Sequence, residues 1–317
     1  MNIVLLEPLA VKSEVIEKLS KKAVEMGHSF KAYDSVTKDV EELKRRSREA
    51  DILIIANNPL PGEVIREAER LKYIAVAFTG VDHVDKEACL EKGVKVSNAA
   101  GYSTDSVAEL AIALIIDALR NVLPCDDRVR NGGTKEGLVG NQLKGKTVGI
   151  VGTGAIGLRV AELLRPFKCT VLGYSRSERE EGKSLGIEYV SLEELLKRSD
   201  IVSLHVPLNE ATKNLINEDR IKLMKSSSVL INLARGPVVD SKALAEALNK
   251  GRIAKACIDV FETEPPIEEN HPLLMAKNTL VTPHIAFATE ESMVIRAELT
   301  FDNIYSYLEG NIKNQVI

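Results

Sequence analysis

The feature that most constrains the fold is the alternation of apolar runs with charged amphipathic segments, which occurs twice along the chain. From Met1 to about Asn98, runs such as NIVLL, ADILIIA and YIAVAF are separated by segments such as SEVIEKLSKKAVEMG. From Thr147 the rhythm begins again, with TVGIVG, CTVLGY, DIVSLHV, SVLINLA, KACIDVF and NTLVTP. Buried strands that alternate with helices are typical of a parallel sheet. The sequence therefore predicts an α/β protein with two doubly wound parallel-sheet units.

The segment that joins the two units is predicted to begin with a helix. In GYSTDSVAEL, Ser106 and Glu109 have capping-box spacing ahead of an apolar run. Residues 107–116 are apolar nearly all round, so we expect another domain or another subunit to cover this helix. Residues 123–145, with five glycines, predict an irregular excursion. The final amphipathic segment, ESMVIRAELTFDNIYSYLEG, predicts a helix that returns to pack on the first unit.

The composition disfavours several classes of partner. The formal net charge is −4, and Lys and Arg are spread among Asp and Glu, so the chain lacks the one-sided basic surface that nucleic acid or an anionic membrane requires. The N-terminal MNIVLLEPLA has no basic region, which predicts a strand rather than a signal peptide. The most apolar helical stretch, VAELAIALIIDAL, is too short to span a bilayer. We therefore expect a soluble protein with no nucleic-acid or membrane partner.

The cysteines indicate a reducing compartment. They are far apart in the sequence and form no CxxC pair, which disfavours both a zinc site and a disulfide framework. The four positions are Cys89, Cys125, Cys169 and Cys257. We expect a cytoplasmic protein without a metal centre.

A glycine-rich motif at the start of the second unit predicts a dinucleotide site. In KTVGIVGTGAIGLRVAELL, Gly152, Gly154 and Gly157 form GxGxxG between a β-branched apolar run and a helical pattern. The glycines permit a tight turn, let the backbone approach a pyrophosphate and allow close packing of the helix on the strand. The motif alone is also compatible with a plain glycine-rich turn. The strand before it and the helix after it favour cofactor binding.

The next strand ends at the position that distinguishes NAD from NADP. Ser175 follows VLGY, where an NAD site usually has an Asp or Glu that binds the ribose hydroxyls and repels a 2′-phosphate. The sequence Ser175-Arg176-Ser177 removes that repulsion, and Arg176 can pair with the phosphate through its planar fork of donors. NADP is therefore favoured over NAD. The alternative is a solvated loop in which Arg176 has no role.

Three ionisable residues follow strands of the second unit and indicate hydride-transfer chemistry. Arg235 follows SVLINLA, Glu264 follows KACIDVF, and His284 follows NTLVTP, and ligands bind outside the carboxyl ends of parallel strands. Beside a nicotinamide, an Arg can bind the carboxylate or polarise the carbonyl of a 2-oxo acid, and a His can donate a proton. A Glu can orient the imidazole. Taken singly, each has a simpler explanation as a surface charge, part of an acidic turn or a turn residue.

Several blocks of the chain carry a family resemblance. In order and spacing, VGIVGTGAIG, LHVPLNEAT, INLARGPVVD, CIDVFETEP and TPHIA resemble the D-isomer specific 2-hydroxyacid dehydrogenases, and FTGVDHVD and GYSTDSVAEL fit the same family. The resemblance covers essentially the whole chain. In that family the Arg of ARG, the Glu of TEP and the His of PH form the catalytic set, which implies Arg235, Glu264 and His284 here.

The resemblance implies a domain organisation. It implies a flavodoxin-like substrate-binding domain, residues 1–98 and 290–317, into which an NAD(P)-binding Rossmann domain, residues 99–289, is inserted. The active site is then expected in the cleft between the two domains. Members of the family are usually dimeric through their nucleotide domains, which implies a homodimer.

The resemblance also implies binding residues beyond the catalytic set. Backbone amides of Thr79 and Gly80 would hold the substrate carboxylate. The cofactor would lie against Ala155 and Ile156 at the pyrophosphate, Val206, Pro207 and Thr212 on the adenosine side, and Thr104 and Asp259 near the nicotinamide.

Two departures from the family pattern narrow the substrate. The chain has no Trp, although many relatives have one in the loop before the nucleotide domain. Phosphoglycerate-oxidising relatives often carry basic residues after the strand that ends here in IIANNP, where this chain has Ala56, Asn57 and Asn58. We therefore expect a small non-phosphorylated acid, such as glyoxylate or hydroxypyruvate, beside Asn57, with Phe78 narrowing the pocket and Arg235 binding the substrate. The alternatives are an enzyme for D-3-phosphoglycerate or phosphite and a non-catalytic dinucleotide-sensing protein of the same fold.

Overall fold

The computed structural model describes residues 1–263 and 266–317 and divides the chain into two compact units. Unit 1 comprises Met1–Ser103 and Ala288–Ile317, and unit 2 comprises Thr104–Phe287. Each unit is built on one parallel sheet. The predicted α/β class with two parallel-sheet units is confirmed.

Unit 1 has the strand order of a flavodoxin-like domain. Its strands are β1 (Asn2–Leu5), β2 (Ser29–Ala32), β3 (Ile52–Ile55), β4 (Tyr73–Val76) and β5 (Lys95–Asn98). They pair in parallel in the order β2-β1-β3-β4-β5, the doubly wound arrangement of flavodoxins. The helices between them are α1 (Ser13–Glu25), α2 (Val40–Ser47), α3 (Gly62–Glu67) and α4 (Lys86–Lys92). Both β3 and β4 are entirely buried, as expected for central strands covered on both faces.

Unit 2 has a Rossmann-type sheet. Its strands are β6 (Thr147–Val151), β7 (Thr170–Tyr174), β8 (Glu188–Tyr189), β9 (Ile201–Leu204), β10 (Val229–Asn232), β11 (Lys255–Ile258) and β12 (Thr279–Val281). They pair in parallel in the order β12-β11-β10-β9-β6-β7-β8, so the strand order reverses between β6 and β9. Its helices are α5 (Thr104–Arg120), α6 (Val122–Arg130), α7 (Ala155–Leu164), α8 (Glu180–Ser184), α9 (Leu192–Arg198), α10 (Glu218–Ile221), α11 (Ser241–Asn249) and α12 (Pro272–Met275).

The last helix, α13 (Glu290–Leu308), packs on the sheet of unit 1. Phe301 and Ile304 are buried in the same core as strand residues of that unit. Tyr307 stacks on Tyr73 of β4 with ring centroids 4.2 Å apart, and the Asn303 amide donates to the carbonyl of Asn98, the last residue of β5, at 2.8 Å. These contacts fix α13 along β4 and the end of β5.

The first helix of unit 2 begins earlier than the sequence pattern predicts. α5 begins at Thr104, so Ser106 lies inside the helix and the predicted capping box of Ser106 and Glu109 is wrong. Ser and Glu are also tolerated inside helices, so their spacing alone does not locate a helix start. The reciprocal cap occurs instead at the start of α13, between Thr289 and Ser292.

The apolar face of α5 is covered within its own unit. Val107, Ala111, Leu114 and Ile115 are buried in one core with residues of α7, β10 and β11. Unit 2 itself therefore covers these residues, where we expected another domain or another subunit to do so. No helix in the described part of the chain has the length and apolarity needed to cross a membrane.

A helix occupies part of the stretch that was predicted to be irregular. α6 covers residues 122–130, and Pro124 lies in its first turn, where a missing N–H breaks no intrahelical bond. None of its residues is buried. Val122, Leu123 and Val129 are 50%, 55% and 69% exposed, so this helix presents apolar side chains at the surface.

Candidate active site

The glycine-rich turn joins β6 to α7 at the point where the strand order of unit 2 reverses. Gly152 has a φ of 100°, which residues with a Cβ rarely adopt, and its N–H donates to the Tyr174 carbonyl at 2.8 Å. A Cβ at this position would lie 2.6 Å from the carbonyl oxygen of His205. The first glycine therefore brings the ends of β6, β7 and β9 close together.

The second and third glycines have different roles. A Cβ at Gly157 would collide with the carbonyl oxygen of Gly152, so glycine is needed for α7 to pack this closely on the turn. A Cβ at Gly154 would meet no atom within 4 Å. The first turn of α7, with Ala155 and Ile156, has no acidic residue and no side-chain cap. Its N–H groups and the open approach at Gly154 fit the pyrophosphate of a dinucleotide.

The chain that follows β7 presents Arg176 without a partner among the residues that the structure describes. Ser175 is half-buried, and Arg176 and Ser177 are exposed. Arg176 forms no ion pair or hydrogen bond with any residue that the structure describes. The acids that follow it, Glu178 and Glu180, both pair with Lys183 at 3.0 Å. The Arg176 guanidinium is therefore available to an anion at the position where a 2′-phosphate is expected.

The loop after β9 is shaped by its own threonine. The Thr212 hydroxyl donates to the Pro207 carbonyl at 2.6 Å and accepts from the Asn209 N–H at 2.9 Å. Val206 is half-buried and Pro207 is exposed. Burial lowers the pKa of the neighbouring His205 to about 4, so this imidazole is neutral near pH 7. The loop that was predicted to face the adenosine is thus held in one shape.

The Arg235 turn is fixed by a buried amide and a glycine. Asn232, which is 1% exposed, donates to the Arg235 carbonyl at 3.0 Å and accepts from the Ala234 N–H at 3.1 Å. A Cβ at Gly236 would collide with the backbone of Phe261. Glycine at this position therefore lets the Arg235 turn lie directly against the chain that leaves β11.

The loop that carries His284 is held by a buried carboxylate. Asp259 is fully buried and accepts hydrogen bonds from the Thr282 hydroxyl at 2.5 Å and from the N–H groups of Ile285 and Ala286 at 2.8 and 2.9 Å. The His284 N–H donates to the Asp259 carbonyl at 2.8 Å. These bonds hold His284 in the left-handed region, with a φ of 57°. The described contacts of Asp259 thus position the His284 loop.

An acid–imidazole pair near the Arg235 turn was not identified from the sequence. The Leu273 N–H donates to His271 Nδ1 at 3.3 Å, so Nε2 carries the proton and donates to the Glu262 carboxylate at 2.9 Å. Desolvation acts to raise the pKa of Glu262, but hydrogen bonds from Ser241 and His271 outweigh it and hold this pKa below its usual value. The sequence signal that could have identified this pair is a His directly before a Pro: His271 precedes Pro272 and is the N-cap of the short helix α12.

Glu264 lies outside the described residues. The segment leading toward it is fixed at Phe261 by the Arg235 turn and at Glu262 by His271. The Phe261 and His271 rings also meet edge to face, with centroids 5.1 Å apart. The chain therefore leaves β11 in a defined direction.

Unit 1 places its predicted substrate residues at the carboxyl ends of β3 and β4. Asn57 is half-buried just after β3, and Phe78 is 6% exposed just after β4. The Asn98 amide donates to the Thr79 carbonyl at 2.7 Å and fixes the turn. The N–H groups of Thr79 and Gly80 have no hydrogen-bond acceptor among the residues that the structure describes. They are therefore available to a carboxylate.

The predicted residues of unit 2 that the structure describes lie along the carboxyl edge of its sheet. They follow β6, β7, β9, β10, β11 and β12, and Thr104, half-buried, begins α5. Among residues 1–263 and 266–317 there is no group of three or more His, Cys, Asp or Glu that could hold a metal ion. A parallel sheet with this glycine turn at its reversal point defines a dinucleotide-binding α/β protein.

Comparisons with known proteins narrow this class. Residues 112–286 match the model of the D-isomer specific 2-hydroxyacid dehydrogenase, NAD binding domain. A glyoxylate reductase of Aeropyrum pernix is 39% identical over 87% of this chain and 85% of its own length, and a D-3-phosphoglycerate dehydrogenase of Methanocaldococcus jannaschii is 38% identical over 87% of this chain but 53% of its own. The structure of an acyclic imino acid reductase in complex with NADPH and D-Arg superposes with a TM-score of 0.90, at 30% identity and over 100% of both chains.

The chain belongs to the D-isomer specific 2-hydroxyacid dehydrogenases. It is an enzyme of that class, which uses a nicotinamide dinucleotide to interconvert 2-oxo acids and D-2-hydroxy acids.

Gly154→Ala and Gly157→Ala separate cofactor binding from folding. We expect Gly154→Ala to raise the KM for the cofactor about tenfold with little loss of stability, because the added methyl meets only the approaching pyrophosphate. Gly157→Ala should lower the free energy of unfolding by about 1–3 kcal/mol, because its methyl collides with the Gly152 carbonyl. Cofactor titration and thermal denaturation measure both effects. Unchanged cofactor affinity in Gly154→Ala would contradict the assigned approach.

His271→Asn tests whether the Glu262–His271 pair serves only folding. Asn is a good N-cap and keeps the bond to Leu273, but it is too short to reach Glu262. We expect kcat to fall about tenfold with an unchanged melting temperature, since a small displacement of the active-site chain is enough to slow the chemistry. His271→Gln, which reaches Glu262, is the matched control. Equal kcat in both variants and in the parent would show that the pair is purely structural.

Proposed function

We propose that the chain reduces a small, non-phosphorylated 2-oxo acid of the glyoxylate or hydroxypyruvate type, with Arg235, Glu264 and His284 as the catalytic set. The observation that carries the proposal is the buried Asp259 carboxylate, which fixes the His284 loop at the end of β12, two strands from the Arg235 turn. The substrate type is supported by the glyoxylate reductase relative.

The residues divide the chemistry of carbonyl reduction between them. The nicotinamide of a dinucleotide bound at the glycine turn would supply the hydride that reduces the carbonyl carbon. Arg235 binds the carboxylate and polarises the carbonyl with its guanidinium. The backbone amides of Thr79 and Gly80 are also proposed to bind the carboxylate. His284 donates a proton to the carbonyl oxygen, and Glu264 favours the protonated imidazole. Asn57 and Phe78 line the wall around the substrate carbon chain.

The alternative is a D-3-phosphoglycerate dehydrogenase, which the relative of that name favours. The contacts of Glu7 oppose it. This carboxylate is 4% exposed, accepts from the N–H groups of Ala56 and Asn58 at 2.7 and 3.4 Å, and accepts from the Asn58 side chain. The donors of Ala56 and Asn58 are therefore engaged by an acid, whose charge would repel a phosphate.

NADP is the cofactor that the end of β7 favours. Ser175 brings no negative charge, and the exposed Arg176 has no described partner. The structural neighbour bound to NADPH supports the same preference. The remaining cofactor contacts in this proposal are Thr104, Gly152, Gly154, Ala155, Ile156, Gly157, Ser177, Val206, Pro207, Thr212 and Asp259.

We further propose a cytoplasmic homodimer. The exposed apolar side chains of α6, and Val139 at 82% exposure, are apolar surface that a second copy would bury. The scattered free cysteines suit a reducing compartment.

Replacement of His284 tests the assignment of the proton donor. We expect His284→Ala to lower kcat by about 10²–10⁴-fold, the range for loss of a general acid, with NADPH affinity unchanged. The measurement is NADPH oxidation with glyoxylate, hydroxypyruvate, pyruvate and 3-phosphohydroxypyruvate. An active variant would refute the role of His284. Failure of the parent enzyme on every non-phosphorylated acid would refute the proposed substrate type.

Ser175→Asp tests the cofactor preference. A carboxylate at this position repels a 2′-phosphate but binds the ribose hydroxyls of NAD. We expect kcat/KM for NADPH to fall at least about tenfold while that for NADH is kept or improved, because like charges a few Å apart cost more than 1.4 kcal/mol. Arg176→Ala is the companion variant and should weaken NADPH alone. An equal loss for both cofactors would mean that Ser175-Arg176-Ser177 is an ordinary surface loop.

A further inference from the structure

Two segments of unit 2 are assigned above to the adenosine half of the cofactor, and they differ in how they are held. The glycine turn after β6 is fixed by its own backbone, because the Gly152 N–H donates to the Tyr174 carbonyl at 2.8 Å and Gly157 packs directly on the turn. Residues 175–179, which follow β7, have less support. Within the part of the chain that the structure describes, the Arg179 N–H is the one backbone donor of this segment with an acceptor, the Tyr189 hydroxyl at 3.3 Å.

Tyr189, in the edge strand β8, joins these two segments. Its hydroxyl donates to Thr153 Oγ1 at 3.1 Å. Thr153 is fully buried and lies in the glycine turn, between Gly152 and Gly154. The same hydroxyl accepts from the Arg179 N–H. One side chain therefore connects the proposed pyrophosphate turn with the residues that follow β7.

The Tyr189 ring is closely packed within its own unit. A Cβ at Gly182 on α8 would collide with the Tyr189 hydroxyl, and a Cβ at Gly173 on β7 would lie 3.4 Å from the edge of the ring. The ring also packs against the apolar core that covers α5 and α7. Because these contacts hold the ring, removal of the hydroxyl alone breaks the two hydrogen bonds and leaves the packing in place.

We propose that Tyr189 is a positioning residue for the 2′-phosphate of NADP, because its hydroxyl sets the separation between the glycine turn and the segment that carries Arg176. The inference rests on the proposed preference for NADP and deepens it. The pyrophosphate and the 2′-phosphate belong to one adenosine, so the ligand fixes their separation and the two binding segments have to match it. A bond that holds the second segment in the matching place reduces the ordering that binding requires.

Loss of this hydroxyl should affect NADPH more than NADH. The glycine turn keeps the Gly152 bond and the packing of Gly157, which serve both cofactors. Residues 175–179 lose the bond that ties their backbone to β8. Only NADPH carries a charged group that Arg176 can bind there, so only NADPH depends on where this segment lies.

Tyr189→Phe tests the inference, because it removes the hydroxyl and keeps the ring. We expect the KM for NADPH to rise about five- to tenfold, that for NADH to change less than about twofold, and kcat at saturating NADPH to stay within about twofold of the parent. Calorimetric titration with adenosine 2′,5′-bisphosphate and with AMP makes the same comparison without turnover, and only the bisphosphate should bind more weakly. Thr153→Val removes the acceptor of the same hydroxyl and should shift both comparisons in the same direction.

Tyr305→Phe is the matched control. The Tyr305 hydroxyl donates to the Leu19 carbonyl and joins α13 to α1 in unit 1, away from the glycine turn in the sequence and in the other unit. We expect both Tyr→Phe variants to lower the melting temperature by a few degrees at most, as for the loss of one hydroxyl, and Tyr305→Phe to leave both KM values unchanged.

The possible outcomes separate this inference from the proposal on which it rests. A parent enzyme that prefers NADPH, with an unchanged ratio of the two KM values in Tyr189→Phe or Thr153→Val, would overturn the inference alone. An equal loss for both cofactors would overturn it in favour of a role in supporting the glycine turn. A parent enzyme that does not prefer NADPH, and that binds the bisphosphate no better than AMP, would overturn the NADP proposal and this inference together.

Discussion

The buried carboxylate of Asp259 is the group on which the carboxyl edge of the unit 2 sheet depends around His284. A desolvated carboxylate is strongly unfavourable unless donors surround it, and here the donors come from a single short loop. The same bonds hold His284 in a left-handed conformation that an isolated chain would rarely adopt. The loop that satisfies the buried acid is therefore the same loop that places the imidazole.

Much of the fold followed from local patterns. The apolar runs predicted the buried strands of both units, because strands covered on both faces are apolar along their whole length, but they missed the edge strands β2 and β8, which are largely exposed. The glycine turn was also readable, since Gly152 and Gly157 each meet a steric requirement within a few residues, while Gly154 leaves an open approach. Arg235 and His284 were found because residues that follow parallel strands share one edge of a sheet. Their roles, and the role of Glu264, stay predictions.

What the sequence did not predict depends on distant partners. The cover of α5 comes from α7, β10 and β11, which the apolar pattern of one helix cannot identify. The pairing of His271 with Glu262 and the close contact of Gly236 with Phe261 join segments that only the folded sheet brings together. Tyr189 lies in an edge strand that the apolar pattern missed, and its hydroxyl bonds to residues 10 and 36 positions away along the chain. Single-sequence patterns report the face of an element and not its neighbours.

The discontinuity of unit 1 has a consequence for how the protein is made. Its sheet is complete within Met1–Ser103, but α13, which packs on β4 and bonds to the end of β5, is synthesised only after all of unit 2. On the ribosome, unit 2 is available as a continuous segment while unit 1 still exposes the apolar surface that α13 will bury. A nascent chain stalled before Glu290 would therefore contain all of unit 2 while the unit 1 surface that α13 covers is still exposed.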